Sequence, residues 1–482
     1  MIDAAKLLHI LGRFLLALAG CMALPLLYGL AAGDDPLPFL LAVAASGAAG
    51  GLLVGCRRGG DRALSDREGI LLTVAVWLTV CLFGSLPFCF SPSYRGFTDA
   101  FFESVSGFTT TGATVAADVE VLPGSLQLWR CASHWIGGMG VVLLGVSVLP
   151  LVGIGGLPLY RADFPGARSE KLALRVSEAA RALWKIYGVM TVAAFLGLRL
   201  AGMGPFDALC HCFSAVGTGG FSTRNSGVAA FDSPLVEGVL IVVMLLAGVN
   251  FTLHYRLWAG RRVRRFFSDP ELRFYLATAA LAALGIWASL ALSGRFAPGP
   301  ALRHAVFQAC SVMTGTSLET DDYGAWPPFS QLVLLALMFI GGCAGSTTGG
   351  LKAFRILLLL KVVGREFRRL VERRGIFTVR LGSLAIPERT IQSLLNLVYL
   401  AFITNLVACL LLSLDGIDVF SGISAVAACM FNAGPGLGSV GPAGHYGDLS
   451  MLAKWVLSGC MLIGRLEFYV VLVLLTRTFW RH

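Results

Sequence analysis

The sequence predicts an all-α polytopic membrane protein: four pseudo-symmetric helix, pore-loop, helix repeats around one central pore, preceded by two extra N-terminal transmembrane helices. Three observations carry that prediction. The chain is 56% hydrophobic and only 14% charged, with a mean hydropathy of +0.76, against about 25% charged residues in an average soluble domain. Its apolar runs recur along the whole length, and no stretch is polar enough for a separate soluble domain. Between paired long runs stands, four times, a shorter half-apolar segment that breaks into glycine and threonine.

The apolar run from Phe14 to Ala32 is longer than a signal-peptide core and is followed by a second one. Two uncleaved spans are therefore expected first, near Leu8 to Leu30 and Leu37 to Val54. The first helix of each later unit is expected at Ile70 to Phe90, Leu183 to Leu200, Phe274 to Leu292 and Leu394 to Leu414. The second helices are expected at Leu128 to Leu151, Val236 to Trp258, Gln331 to Val363 and Leu452 to Leu475. Runs of about twenty residues cross a hydrocarbon core roughly 30 Å thick, so ten spans result. The recurrence is an internal repeat: residues 1–67 hold the extra helices, 68–178 the first pore repeat, 179–268 the second, 269–390 the third and 391–482 the fourth.

A net charge of +10 raises the possibility of a nucleic-acid partner, but its distribution points to a lipid bilayer and no nucleic acid. Basic residues cluster at Arg57, Arg58, Arg62 and Arg67, from Arg161 to Lys185, in RRVRRFF from Arg261 to Phe267, and from Lys352 through Arg374 to Arg389. The positive-inside rule makes these loops cytoplasmic, which places both termini of a multi-pass protein in the cytoplasm. The alternate loops carry Asp34, Asp35, Asp118, Glu120, Glu319, Asp321, Asp322, Asp415, Asp418 and Asp448. An acidic outer mouth concentrates cations and repels anions. The twelve cysteines are scattered through apolar runs without metal-ligand spacing and read as small packing residues.

The middle segments FTDAFFESVSGF, FDALCHCFSAV, LRHAVFQACSV and DVFSGISAVAACM are each about three helical turns, too short to span. Each breaks into a run rich in glycine or threonine: TTTGATV, GTGGFST, MTGTSLET and NAGPGLG. Irregular backbone at membrane depth is tolerated only where it is buried in protein or lines a water-filled cavity. The four loops register without gaps on Ser106, Ser214, Ser311 and Ala428, and six residues later stand Gly112, Gly220, Ser317 and Gly434. The candidate cation-binding residues are Thr110, Thr111 and Gly112; Thr218, Gly219 and Gly220; Gly315, Thr316 and Ser317; and Asn432, Ala433 and Gly434. A dehydrating cation needs carbonyl oxygens in place of water, and glycine permits the positive φ that aims successive carbonyls one way. The half-helices add their negative C-terminal ends. K⁺ is the expected transported ion, with no organic cofactor. Close packing of small residues between helices is the competing explanation for one loop, but not for four in register.

The segment GGCAGSTTGG, from Gly341 to Gly350, interrupts the third unit's second helix with more glycine than a helix bears. Gly345, Ser346, Thr347, Thr348 and Gly349 are the candidate intramembrane gate, with Lys352 as the residue through which it moves. Arg465 lies within an apolar helix, where a charge is costly unless paired or hydrated, and is expected to face the pore or a carboxylate. Glu467 stands on another helix face. Snorkelling to the interface is the alternative. His134 reads as a packing residue; Asp99 and Glu103 are expected to tune the outer field.

The stretches VSGFTTTGAT, HCFSAVGTGGFST, GGCAGSTTGGLK, FNAGPGLG and MLIGRLEF resemble those of TrkH-type translocating subunits of the bacterial Trk/Ktr potassium-uptake systems, over essentially the whole chain. The resemblance implies a homodimer, a cytosolic nucleotide-binding (TrkA-like) regulatory ring, a gating loop beneath the filter and an arginine, here Arg465, reaching the pore near that loop. The chain departs from the family pattern at Ser317, which stands in a filter-glycine position. Some Na⁺-carrying plant relatives of this superfamily share such a serine, so modest K⁺/Na⁺ discrimination is expected. Gated, channel-like K⁺ uptake competes with an H⁺- or Na⁺-coupled symporter. The filter runs hold no titratable residue up to their glycine or serine, which favours the channel. An enzyme is not expected, since no paired acids, zinc-binding helix or activated serine share one depth.

Overall fold

A computed structural model describes residues 2–55, 64–147, 169–260, 263–382 and 384–481. The basic residues Arg57, Arg58, Arg62, Arg161, Arg261 and Arg262, and the expected end of a helix at Leu151, lie outside them. The described chain is helical apart from loops and one short hairpin, Arg380–Leu381 paired antiparallel with Leu384–Ala385.

Helices α1 (Ala4–Ala32) and α2 (Leu37–Gly55) form a tight antiparallel pair, the backbone at Gly12 lying against that at Gly50. Helix α3 (Asp66–Gly84) starts on a capping box in which Ser65 and Glu68 satisfy each other's backbone N–H groups. There follow half-helix α4 (Phe97–Phe108), α5 (Gly124–Ser147), α6 (Ser169–Leu200), half-helix α7 (Pro205–Gly217), α8 (Pro234–Ala247), α9 (Phe251–Gly260) and α10 (Pro270–Leu292). The chain continues with half-helix α11 (Pro298–Met313), α12 (Pro328–Ile340), α13 (Ala353–Val371), α14 (Glu388–Ser413), half-helix α15 (Val419–Met430), α16 (Met451–Arg465) and α17 (Tyr469–Leu472).

Two of the ten expected spans are sharply bent. Among the described residues six helices are long and apolar enough to cross a bilayer, or eight if each of two bent pairs is one span. The second helices expected unbroken at Val236 to Trp258 and Leu452 to Leu475 turn by 95° and 111°. Both bends have local causes that apolar composition conceals. After α8, the Asn250 side chain accepts from Thr252 N at 2.8 Å and starts a new helix, the role of an N-cap. After α16, Glu467 and Phe468 take φ of +61° and +50°, and the Glu467 carboxylate is drawn into an ion pair with Arg355. Helix α12, at 13 residues, is too short to span at 1.5 Å per residue.

The apolar core runs through the units and continues across the boundaries between neighbouring ones. One cluster joins Phe102, Phe108 and Trp129 to Met430, Leu457 and Met461. A second joins Met139 and Tyr187 to Val216, Met244 and Phe307, and a third joins Val249 and Tyr275 to Met338, Ala428 and Leu437. Units one to two, two to three, three to four and four to one are thus packed in a closed circuit. The outward faces keep large apolar side chains exposed, such as Leu27, Leu281, Tyr399, Phe402 and Leu410. A monomer in water would hide such a surface; a lipid-facing protein keeps it.

Candidate functional site

The four half-helices end in one shared conformation. In each, the residue five beyond the registering position donates its N–H back to that position: Thr111 to Ser106 O at 2.8 Å, Gly219 to Ser214 O at 2.8 Å, Thr316 to Ser311 O at 2.9 Å and Ala433 to Ala428 O at 2.7 Å. The residue before it makes the shorter bond inside: Thr110 to Gly107 O, Thr218 to Ala215 O, Gly315 to Val312 O and Asn432 to Cys429 O. That pair of bonds is the Schellman ending, which puts its C′ residue in the left-handed region. Thr110, Thr218, Gly315 and Asn432 have φ of +53°, +55°, +65° and +53°.

Two residues further on the chain is left-handed again, with φ of +85° at Gly112, +94° at Gly220, +57° at Ser317 and +75° at Gly434. Each loop therefore holds two left-handed positions, one that ends the half-helix and one that turns the extended run. Sequence reasoning found only the second. The signal for the first was present in Gly315 and Asn432, the two residue types that tolerate that conformation, but Thr110 and Thr218 masked it. A β-branched residue there is an outlier, costing on the order of 1–3 kcal/mol, and such strain concentrates at functional sites.

The loops meet in a ring. A Cβ placed on Gly112 would strike Gly219 O, on Gly220 Thr316 O, and on Gly434 Thr111 O. At the fourth junction a side chain is present, and Ser317 Oγ donates to Ala433 O. Loop one faces two, two faces three, three faces four and four faces one; Asn432 Nδ2 also donates to Thr111 Oγ1 at 2.9 Å across the last junction. The carbonyl oxygens of Thr110, Thr111, Gly112, Thr218, Gly219 and Gly220 receive no hydrogen bond from any described residue. The side-chain oxygens Thr110 Oγ1 and Asn432 Oδ1 are likewise buried without a partner. Buried carbonyls are nearly always paired, and each left unpaired costs about 1–3 kcal/mol. In loops one and two this leaves oxygen atoms free to take a ligand, the kind of donor that can replace the water around a monovalent cation.

The strands leaving the ring are held by charges. Glu103 is fully buried and accepts from Arg130 Nε at 2.7 Å, Thr114 Oγ1 at 2.9 Å and Val115 N at 2.9 Å. Arg130 also donates to Ser222 O at 3.4 Å and lies 4.2 Å over the Phe221 ring, so it ties the exits of loops one and two together. Asp99 pairs with Lys454 at 2.7 Å. Asp99 and Glu103, expected to tune the outer field, are thus each matched by a cation distant in sequence. In the outer loops, the Asn225 amide donates to Asp118 at 2.7 Å and holds that carboxyl below its ordinary range. His134 stacks on Phe221 with ring centroids 4.1 Å apart. Glu103→Gln, which leaves Arg130 buried without its counter-charge, is expected to destabilise the fold by about 3–5 kcal/mol. A thermal melt in detergent within a degree of wild type would contradict this.

Residues 341–352 are non-helical between α12 and α13, with φ of +72° at Gly341, +72° at Gly345, +81° at Gly350 and +76° at Lys352. The loop lies directly against the ring, since a Cβ on Gly349 would strike Phe431 O, next to Asn432. Inside it, Ser346 Oγ bonds Thr348 Oγ1 at 2.8 Å, and Lys352 Nζ donates to Thr348 O. Thr347 Oγ1 reaches Val216 O at the end of α7 at 3.4 Å. Arg465 Nη1 donates to Thr347 O at 2.9 Å and Nη2 to Gly137 O at 3.5 Å. Among the described residues Arg465 thus meets the loop's backbone and no carboxylate, and at 3% exposure it does not snorkel. The loop's other anchors were missed from sequence: Glu271 accepts from Ala344 N at 2.6 Å and Phe354 N at 3.2 Å, and Gly248 O accepts from Cys343 N at 2.9 Å.

Apolar-faced helices, four loops meeting in a ring with donor-free carbonyl oxygens in two of them, and a loop packed against that ring define a multi-pass membrane protein of the cation-transport class. The family model TrkH, described as a cation transport protein, matches residues 39–480, and the chain belongs to that family. It is 39% identical to the Trk system potassium uptake protein TrkH of Salmonella typhimurium over 98% of this chain and 99% of that one. It is 42% identical to the protein of that name from Vibrio parahaemolyticus over 87% of each chain. The crystal structure of the potassium transporter TrkH from Vibrio parahaemolyticus superposes with a TM-score of 0.92 at 38% identity, covering 100% of both chains.

Proposed function

We propose that this protein mediates gated, channel-like K⁺ uptake across a bacterial inner membrane. The ring at Thr110 to Gly112, Thr218 to Gly220, Gly315 to Ser317 and Asn432 to Gly434 is the selectivity filter. The loop of Gly345, Ser346, Thr347, Thr348 and Gly349, with Lys352 and Arg465, is the gate. The observation that carries this reading is the run of donor-free carbonyl oxygens in loops one and two, which replace water around a cation at little cost in reorganisation. Relatives named as potassium uptake proteins supply the identity of the ion. Their naming as parts of a Trk system supports association with other Trk components, which we take to be a second copy of this chain and a TrkA-like cytosolic nucleotide-binding ring, and the basic run from Lys352 to Arg374 supports a cytoplasmic face there.

An H⁺- or Na⁺-coupled symporter is the other mechanism, and no described ring residue is titratable. In proteoliposomes bearing a K⁺ gradient, the reversal potential is expected to follow K⁺ and to stay put when a pH or Na⁺ gradient of constant K⁺ is imposed. A reversal potential that moves with the proton gradient would establish coupling instead.

A further inference from the structure

Glu271 stands in the first turn of α10 and is buried, at 8% exposure. The turn that carries it is rigid. Asp269 caps α10, accepting from Glu271 N at 2.9 Å and Leu272 N at 3.0 Å, and Arg273 Nε donates back to Phe267 O at 2.7 Å. A carboxyl group is costly to bury unless hydrogen bonds offset the lost water. Here those bonds go to main chain of another element: one oxygen, Oε1, accepts from Ala344 N at 2.6 Å, at the entrance of the loop before α13, and from Phe354 N at 3.2 Å, in the first turn of α13. The gate residues Gly345 to Gly349 lie between these two bonds. A single atom thus clasps both ends of the loop and fixes them to α10.

The loop has no regular secondary structure of its own, so its resting position is set by what grips it. Arg465 on α16 takes the carbonyl in its middle, Thr347 O at 2.9 Å, while Glu271 takes N–H groups at its ends. The bend between α8 and α9 holds the entrance as well: Cys343 N donates to Gly248 O at 2.9 Å and Phe251 N to Gly345 O at 3.1 Å. We infer that Glu271 is a positioning residue of the gate, whose carboxyl latches both ends of the loop to the first helix of the third unit and so keeps the loop against the ring. This rests on the gate reading above and adds to it a residue on a different unit from Arg465. Because both bonds meet at one oxygen, a small shift of α10 relative to α13 breaks them together, and the latch opens as a unit.

The experiment is Rb⁺ efflux from proteoliposomes holding the full chain, normalised to reconstituted protein, with the K⁺/Na⁺ ratio taken from bi-ionic reversal potentials on the same preparations. Glu271→Ala is expected to raise basal flux about tenfold, the size that follows from losing two bonds to one buried acceptor, and to leave the ratio at its wild-type value because the filter is untouched. Glu271→Leu fills the space but accepts nothing; it should raise flux likewise and guards against the effect of a cavity. Glu271→Gln keeps an acceptor oxygen and discards the charge, so it should bring flux back to within about threefold of wild type. Charge alone predicts otherwise, since loss of a negative group beside a cation pathway lowers flux in all three variants. Flux at or below wild type in both the alanine and the leucine variants, with Arg465→Ala raised, overturns the latch and leaves the gate reading standing. Equal rises in all three variants, or a collapsed K⁺/Na⁺ ratio in the alanine and leucine variants, overturn it too. Wild-type flux in Arg465→Ala and in the Glu271 variants alike removes the gate reading and the latch with it.

Discussion

Arg465→Ala is expected to raise basal cation flux at least tenfold. The guanidinium is 3% exposed and meets only backbone oxygens, Thr347 O at 2.9 Å and Gly137 O at 3.5 Å, while its Nε has no partner. An uncompensated positive charge beneath the filter repels a passing cation. Two unit charges about 5 Å apart interact by roughly 3 kcal/mol at an effective dielectric constant near 20. Tenfold needs only about 1.4 kcal/mol, so even half of that repulsion suffices. The same substitution frees the loop, because Thr347 O loses its strongest donor. Two controls separate charge from tether. Arg465→Lys keeps the charge but cannot span Thr347 O and Gly137 O together, and should fall between wild type and alanine. Deleting Ser346 to Thr348 removes the loop's contact with Val216 O and Lys352 while leaving Arg465 in place, and should also raise flux. Rb⁺ efflux from proteoliposomes, normalised to reconstituted protein, decides the matter. Flux at or below wild type in both the alanine and the deletion variants would mean that this loop does not close the pathway.

The parts of this architecture written as local composition were legible in the sequence. The half-helices and their Gly/Thr endings could be registered on Ser106, Ser214, Ser311 and Ala428 because the same geometry recurs in every loop. The registering residue has its own chemistry, which became visible only in space: Ser214 Oγ and Ser311 Oγ each donate at 2.5 Å to the carbonyl seven residues on, at Phe221 and Leu318. The glycine-rich interruption before Lys352 was legible because helix cannot tolerate it. What stayed hidden was set by partners far along the chain. Arg130 lies 27 residues from Glu103, and Lys454 lies 355 from Asp99; no periodicity connects such pairs. The bends after Ala247 and Arg465 were hidden because apolar composition continues across them, and one polar residue, Asn250 or Glu467, makes the break. The ring of contacts between loops could not be read either, since each junction joins two units.

The largest expected change in selectivity comes from Ser317→Gly, which should raise the K⁺/Na⁺ permeability ratio about fivefold. At three junctions a glycine leaves the gap before the next loop's carbonyl open; at the fourth the Ser317 side chain fills it and its hydroxyl engages Ala433 O. That carbonyl is then pulled toward a protein donor and competes less well for the ion. Ser317 also holds φ of +57°, at a cost of roughly 1–2 kcal/mol for a non-glycine residue. The strain resists small adjustments of the loop around ions of different radius. A difference of 1 kcal/mol in the filter's preference is about a fivefold change in ratio, which sets the expected size. Ser317→Ala separates the two causes. Alanine keeps the Cβ and the strained backbone but has no hydroxyl, so it should match glycine if the bond to Ala433 O governs selectivity and match serine if strain governs it. The reciprocal change is barred by geometry, because a Cβ on Gly434 would lie 2.6 Å from Ser317 Oγ and 2.8 Å from Thr111 O. Bi-ionic reversal potentials on wild type and the two position-317 variants measure the ratio directly. If glycine and alanine both leave it at the wild-type value, the serine is a tolerated filler of the ring, and the discrimination between K⁺ and Na⁺ belongs to the other three loops.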